Sequence, residues 1–343
     1  MDDFDICSQD PDLERLYEEI SGRKNESIFP FLKRSFKDTC KRISEPSKAH
    51  YDTSDLKFST KSSISRTERF SFELSEFNIT SKGLKLHCAL WRSQLTKRND
   101  KLPLKNPPLP CIIYIHTNTR SLADAIELQP LATVTGFHLL AFDMPGAGKS
   151  EGTLSASCST VISHIDNVIS WAISNLNVGE VILWARGMAT AAAVEYTSNS
   201  ASRGVHKDLV KFLVLDTPYC SVKEVVESVV QKYKEKNVYS VISPLFHACA
   251  FMFGREVTSN LGADIYAVKP INFAGKNKTP CLILKAKNDD YIPASHCDQF
   301  HSLWAGPVNI VSMSGTHYSS RDRETVLTAN IYLNRYVTHP DVV

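Results

Sequence analysis

From Phe70 onward the chain alternates short apolar runs with longer mixed stretches. FSFELSEFNIT and LKLHCALW place apolar residues at alternate positions on either side of Ser81-Lys82-Gly83, the pattern of a β-hairpin. Six further runs follow at 111–116 (CIIYIH), 138–143 (HLLAFD), 181–184 (VILW), 212–216 (FLVLD), 281–285 (CLILK) and 308–313 (VNIVSM). They are almost continuously apolar, as parallel strands covered on both faces must be. The intervals 121–133, 157–175, 188–198, 221–235, 294–304 and 322–336 are helix-compatible. This alternation predicts an α/β fold with a doubly wound sheet. With the hairpin in front, the sheet is mixed, mostly parallel and eight-stranded, with helices on both faces. The 94–110 segment holds four prolines and predicts a loop. The 217–280 interval is too long for a simple crossover. An insertion after the sixth strand would sit over the carboxyl ends of the strands, where open α/β sheets keep their sites, so a cap is expected there.

Residues 1–69 have a different texture, rich in Lys, Arg, Ser, Asp and Glu. Leu13, Leu16 and Tyr17, then Phe29, Leu32 and Phe36, recur at helical spacing. The second of these helices is basic on its polar side, which suits packing on the main domain or lying on a membrane surface. Residues 44–69 read as a polar, extended connector. The domain reading is therefore an extension over 1–69, a main domain over 70–337 with its cap at about 217–280, and a tail at 338–343.

Composition narrows the classes. A net charge of +2 over 343 residues gives no field that would favour nucleic acid. The nine cysteines include no CxxC pair, and the histidines lack ligand spacing, so neither a disulfide framework nor a structural metal is expected. The acidic start lacks the apolar core of a secretory signal, and with unpaired thiols it suggests a cytoplasmic protein. The most apolar stretch, 238–254, is shorter than a membrane span and contains Pro244 and His247. GAGKSEG at 146–152 lacks the leading glycine of a phosphate loop, so no nucleotide cofactor is expected.

Chemistry-bearing motifs fall at the predicted strand ends. YIHTNTRS (114–121) follows one strand and FDMPGAGKSEG (142–152) the next. VILWARGMATAAA (181–193) runs from strand through a small-residue turn into an alanine-rich helix start. NDDYIP (288–293) and SGTHYSSR (314–321) close the series. In this order the motifs resemble those of α/β-hydrolases, in particular the serine aminopeptidase-like group of hydrolases and lipase-like proteins. The resemblance covers about 70–337, and 45–56 resembles an upstream segment of protist relatives.

The resemblance implies a catalytic serine in the turn after the fifth strand, an acid and then a histidine. Asp289 and His317 match the acid and the base. The serine position is Gly187, flanked by Ala185 and Ala189, so the turn can form but carries no nucleophile. Oxyanion donors would be the backbone N–H groups of Met188 and Thr117, the latter standing where the family has glycine. His116 would support that loop, and Arg186 would face the pocket or the cap. Asp216 reads as a cap for the helix that starts near Ser221. The leading reading is a non-catalytic pseudohydrolase binding a small molecule, lipid or peptide through the old pocket. The alternatives are an active hydrolase of esterase, lipase or peptidase type, in which His317 and Asp289 activate water, and a membrane-peripheral protein.

Overall fold

The computed structural model describes residues 48–58, 70–95, 108–153, 158–198, 204–235, 255–259 and 264–338. The predicted N-terminal helices, the apolar 238–254 stretch and the tail from 339 lie outside these.

Eight strands form one sheet: β1 (Phe70–Ser81), β2 (Leu84–Leu95), β3 (Cys111–Ile115), β4 (His138–Phe142), β5 (Val181–Arg186), β6 (Val210–Asp216), β7 (Cys281–Ala286) and β8 (Val308–Met313). Their spatial order is β1-β2-β4-β3-β5-β6-β7-β8. β1 and β2 pair antiparallel, as do β2 and β4; every other pairing is parallel. The order reverses at β3, which lies between β4 and β5. That switch point opens the crevice in which such sheets place ligands.

β3 shows why the inner strands read as solid apolar runs. Cys111, Ile113 and Ile115 enter the core on one face, and Ile112 and Tyr114 the core on the other. The first face is covered by α2 (Cys158–Leu176), α3 (Ala189–Thr197) and α5 (Ala294–Leu303); the second by α1 (Gln129–Thr135) and α6 (Arg323–Leu333). A further helix, α4 (Val222–Glu235), begins the 217–280 interval.

Residues 48–58 do not form the extended connector expected of them. Thr53–Leu56 is a 3-10 turn that buries Leu56 in the second core. The Trp91 indole donates to the Leu56 carbonyl at 2.7 Å, and Phe58 stacks on Trp91 with centroids 5.7 Å apart. Tyr51 donates to Asp143 at 2.8 Å. This stretch belongs to the main domain.

Candidate active site

The site lies at the carboxyl ends of β3, β5, β6, β7 and β8. β5 ends at Arg186, and the chain turns through Gly187 and Met188 into α3. Gly187 has φ +54°, a conformation that L side chains adopt only under strain. Its N–H donates to the Asp216 carbonyl at 2.9 Å, and its carbonyl accepts from the N–H and hydroxyl of Thr190 at 3.0 and 2.6 Å. The backbone of a nucleophile turn is therefore built in full.

Asp289 and His317 meet. His317 Nδ1 lies 2.8 Å from Asp289 Oδ2. A carboxylate can only accept, so Nδ1 carries the proton of this bond. Asp289 also accepts from the N–H groups of Tyr291 and Ile292 at 2.9 and 2.8 Å. Burial pushes its carboxyl up. The hydrogen bond and charge of His317 and these two amides outweigh burial and hold it below the usual carboxylate range. The Tyr318 ring packs edge-on to the imidazole at 4.8 Å, with Tyr291 at 5.7 Å.

Gly187 faces this pair across a gap that is already filled. A Cβ placed on Gly187 would stand 3.1 Å from His317 Nε2, so the turn directs position 187 at the imidazole. The same Cβ would lie 2.9 Å from Thr117 Cβ and would overlap Thr117 Oγ1. The threonine in the oxyanion loop occupies the volume of the missing side chain. Among the described residues, the N–H groups of Thr117 and Met188 donate to no protein acceptor, so the oxyanion donors remain available.

His116 is fully buried beneath the loop. Its Nδ1 donates to the Thr117 carbonyl at 2.7 Å, and its Nε2 accepts from the Met144 N–H at 2.9 Å. The next turn is organised by Asp143, which accepts from the Leu122 and Lys149 N–H groups, each at 2.8 Å. Gly148, at φ +44°, is required there because a Cβ would run into that carboxylate. Met188, next to Gly187, is 39 % exposed.

Arg186 departs from expectation. It is 1 % exposed, and its guanidinium is held among buried partners. Its guanidinium lies 3.4 Å from Glu127 and 3.8 Å from Asp216, and it donates to the carbonyls of His317 and Ser319 at 3.0 and 2.6 Å. Burial pulls its pKa down, but Asp216, with Tyr114 and Glu127, more than restores it, so it stays charged. Asp216 is likewise not a helix cap. It is fully buried and paired with Arg321 through two bonds of 2.8 and 2.9 Å. Ser221 caps α4 instead, accepting from the Glu224 N–H at 3.2 Å. Arg321 also donates to the carbonyls of Thr316, His317 and Ser319. The two arginines thus hold the His317 loop by its backbone.

Two features escaped the sequence reading. Thr217 is a β-branched residue at φ +53°, a costly conformation, with Oγ1 3.5 Å from His317 Nδ1. It flanks the Asp289 side of the ring and donates to the Asp216 carbonyl at 2.8 Å, so it is not on the nucleophile side. The second is a cluster in which donor atoms of Cys220, Glu224 and His296 lie within 4.8 Å of one another. His296 Nδ1 accepts from the Cys220 N–H at 3.0 Å, and Glu224 accepts from the Ser221 hydroxyl at 2.7 Å. Burial, with help from Glu224, pushes the Cys220 thiol up to about 12, which opposes the thiolate a metal would need.

No family model matches the chain. It is 26 % identical over 188 residues to the rat lysophosphatidylserine lipase ABHD12, covering 54 % of this chain and 42 % of that one. It thus spans less than half the length of this curated relative. Among solved structures it is similar to the Pyrococcus furiosus esterase Pf2001, with TM-score 0.57, 15 % identity and coverage of 86 % of this chain and 97 % of that one. It is also similar to a bacterial membrane phospholipase A, with TM-score 0.53, 15 % identity and coverage of 95 % and 97 %.

Proposed function

Because the chain belongs to the α/β-hydrolase superfamily, we propose that its pocket takes an acyl ligand while serine-dependent acyl transfer has been lost. With respect to serine chemistry it is a pseudohydrolase. The observation that carries this reading is Gly187: a complete nucleophile turn bearing no side chain, with Thr117 in the space that a serine would need. Loss of the nucleophile removes about six orders of magnitude from such a reaction. What persists is the means to bind an ester carbonyl, two unused N–H donors beside an oriented imidazole. The lipase and phospholipase relatives favour a lipid ester as the ligand. The direct test is equilibrium binding of a fluorescent lysophospholipid. Saturable binding that weakens on Met188→Pro, which deletes one donor, is expected. Absence of binding to any acyl lipid would overturn the reading.

A second reading rests on the intact Asp289–His317 pair. Nε2 can accept a proton from a nucleophile other than serine, and water is the simplest. Ester hydrolysis abolished by His317→Ala would support it. We also keep a cytoplasmic setting as a proposal, supported by the buried, unpaired Cys88, Cys111, Cys220, Cys281 and Cys297. Membrane contact through the N-terminal extension is tested by liposome flotation with and without residues 1–47. Among the described residues no helix is long and apolar enough to cross a membrane.

A further inference from the structure

We propose that the Thr117 hydroxyl replaces the missing serine as nucleophile, reaching the ester from the opposite wall of the pocket. The inference rests on the acyl-binding reading above and adds a chemistry to it. Three observations carry it. Thr117 Oγ1 fills the position that a Cβ on Gly187 would take, where the side chain of an ordinary nucleophile would begin. His317 Nε2 borders the same space, 3.1 Å from the point at which a Cβ on Gly187 would lie. Neither Thr117 Oγ1 nor His317 Nε2 is engaged in a hydrogen bond among the described residues, with each other or with a third group, so a bridging water can join them. Nucleophile–base contacts are commonly longer in the unliganded protein and tighten when substrate binds.

The threonine is held for this task. Its carbonyl is pinned by His116 Nδ1 at 2.7 Å and by the Arg120 N–H at 3.3 Å, and the residue is 2 % exposed. That Thr117 also supplies an oxyanion N–H is no obstacle: in serine proteases the nucleophilic residue contributes its own amide to the oxyanion hole.

The reaction balances without a further reagent. Thr117 Oγ1 passes its proton to His317 Nε2 and bonds to the ester carbonyl carbon. The carbonyl oxygen takes negative charge against the Met188 and Thr117 N–H groups. The bond to the leaving alkoxide breaks, and Nε2–H returns the proton to it, releasing the alcohol. Water, deprotonated by the same Nε2, then attacks the acyl-threonine, releasing the carboxylic acid and restoring the hydroxyl. Asp289 keeps the ring in the Nδ1–H tautomer throughout.

The experiment is pre-steady-state hydrolysis of p-nitrophenyl acetate with peptide mapping by mass spectrometry. The full chain should show a burst of one equivalent of p-nitrophenol and an acetyl group on Thr117. Thr117→Val, nearly isosteric, should lose about 10³-fold or more of the turnover. Thr117→Ser should keep the burst and the adduct at position 117. Turnover that survives Thr117→Val would assign the attack to water and overturn the proposal, as would the absence of any adduct on Thr117. An adduct on Thr117 in a chain that binds no lysophospholipid would leave this inference standing and sink the ligand assignment alone.

Discussion

Gly187→Ser, the obvious repair, should fail when made alone. A side chain at φ +54° costs about 1–2 kcal/mol of backbone strain. The new Cβ also overlaps Thr117 Oγ1 and lies 2.9 Å from Thr117 Cβ, closer than real contacts allow. Overpacking of this kind costs about 1–3 kcal/mol, so the single variant should be destabilised by about 2–5 kcal/mol in all. Thr117→Ala would remove the Oγ1 overlap but keep the 2.9 Å contact between the two Cβ atoms. Thr117→Gly removes both atoms and leaves only the strain. The two substitutions should therefore couple favourably by about 1–3 kcal/mol in a double-mutant cycle read by urea unfolding. The double variant places a serine hydroxyl beside His317 Nε2 without that overlap, and a fluorophosphonate should label it at position 187, located by peptide mapping. If Gly187→Ser alone unfolds like wild type and is labelled at position 187 as fast as the double variant, Thr117 does not fill the nucleophile space and the reading of the pocket is wrong.

Two further predictions address what holds the site. Arg321→Met strips Asp216 of its two-bond partner and leaves a fully buried carboxylate with only Arg186 at 3.8 Å; a loss of about 3–5 kcal/mol is expected in urea unfolding, and a loss under 1 kcal/mol would show that the network contributes little. Burial, aided by the positive charge of Arg92, pushes His138 from 6.5 down to about 4, so the folded state keeps it neutral while the unfolded chain takes up a proton below its own pKa. The unfolded state binds more protons in the window between these two values, so stability is complete above it and falls as pH drops through it. From pH 7.5 to 5 the share due to His138 is about 2 kcal/mol. His138→Gln should lose that much less over the same range, and an unchanged slope would refute the assignment.

How much of this was legible in the sequence follows from the range over which each signal acts. Strands β3 to β8 could be placed because a strand buried on both faces must be apolar throughout, and no other soluble element produces six such runs with helical spacers. Their ends were less legible: β6 begins at Val210 rather than 212 because Lys211 interrupts the apolar run while the pairing with β5 continues to Val210. The turn at Gly187 was legible because tight geometry imposes small neighbours within two residues. Leu56 was missed because a 3-10 turn of four residues is too short to show any period. Asp216 and Arg186 were misplaced for a different reason. Asp216 takes its main partner, Arg321, from 105 residues away, and Arg186 holds carbonyls 131 and 133 residues away. Local patterns carry no information about such pairs.

Thr117 shows how the two ranges combine. Its place in the oxyanion loop could be read from the strand before it, and the absence of a hydroxyl at 187 from the turn after β5. Neither motif reveals that the side chain from one loop enters the space vacated in the other. That follows only from β3 and β5 being paired in register, Ile115 beside Ala185, so that the residues two steps beyond each face one another across the crevice. A threonine at 117 and a glycine at 187 are then one steric arrangement. Each is compatible with the other, and neither fits well alone. Any account of the protein's chemistry must therefore treat positions 117 and 187 as a pair, and a single substitution at either tests packing before it tests catalysis.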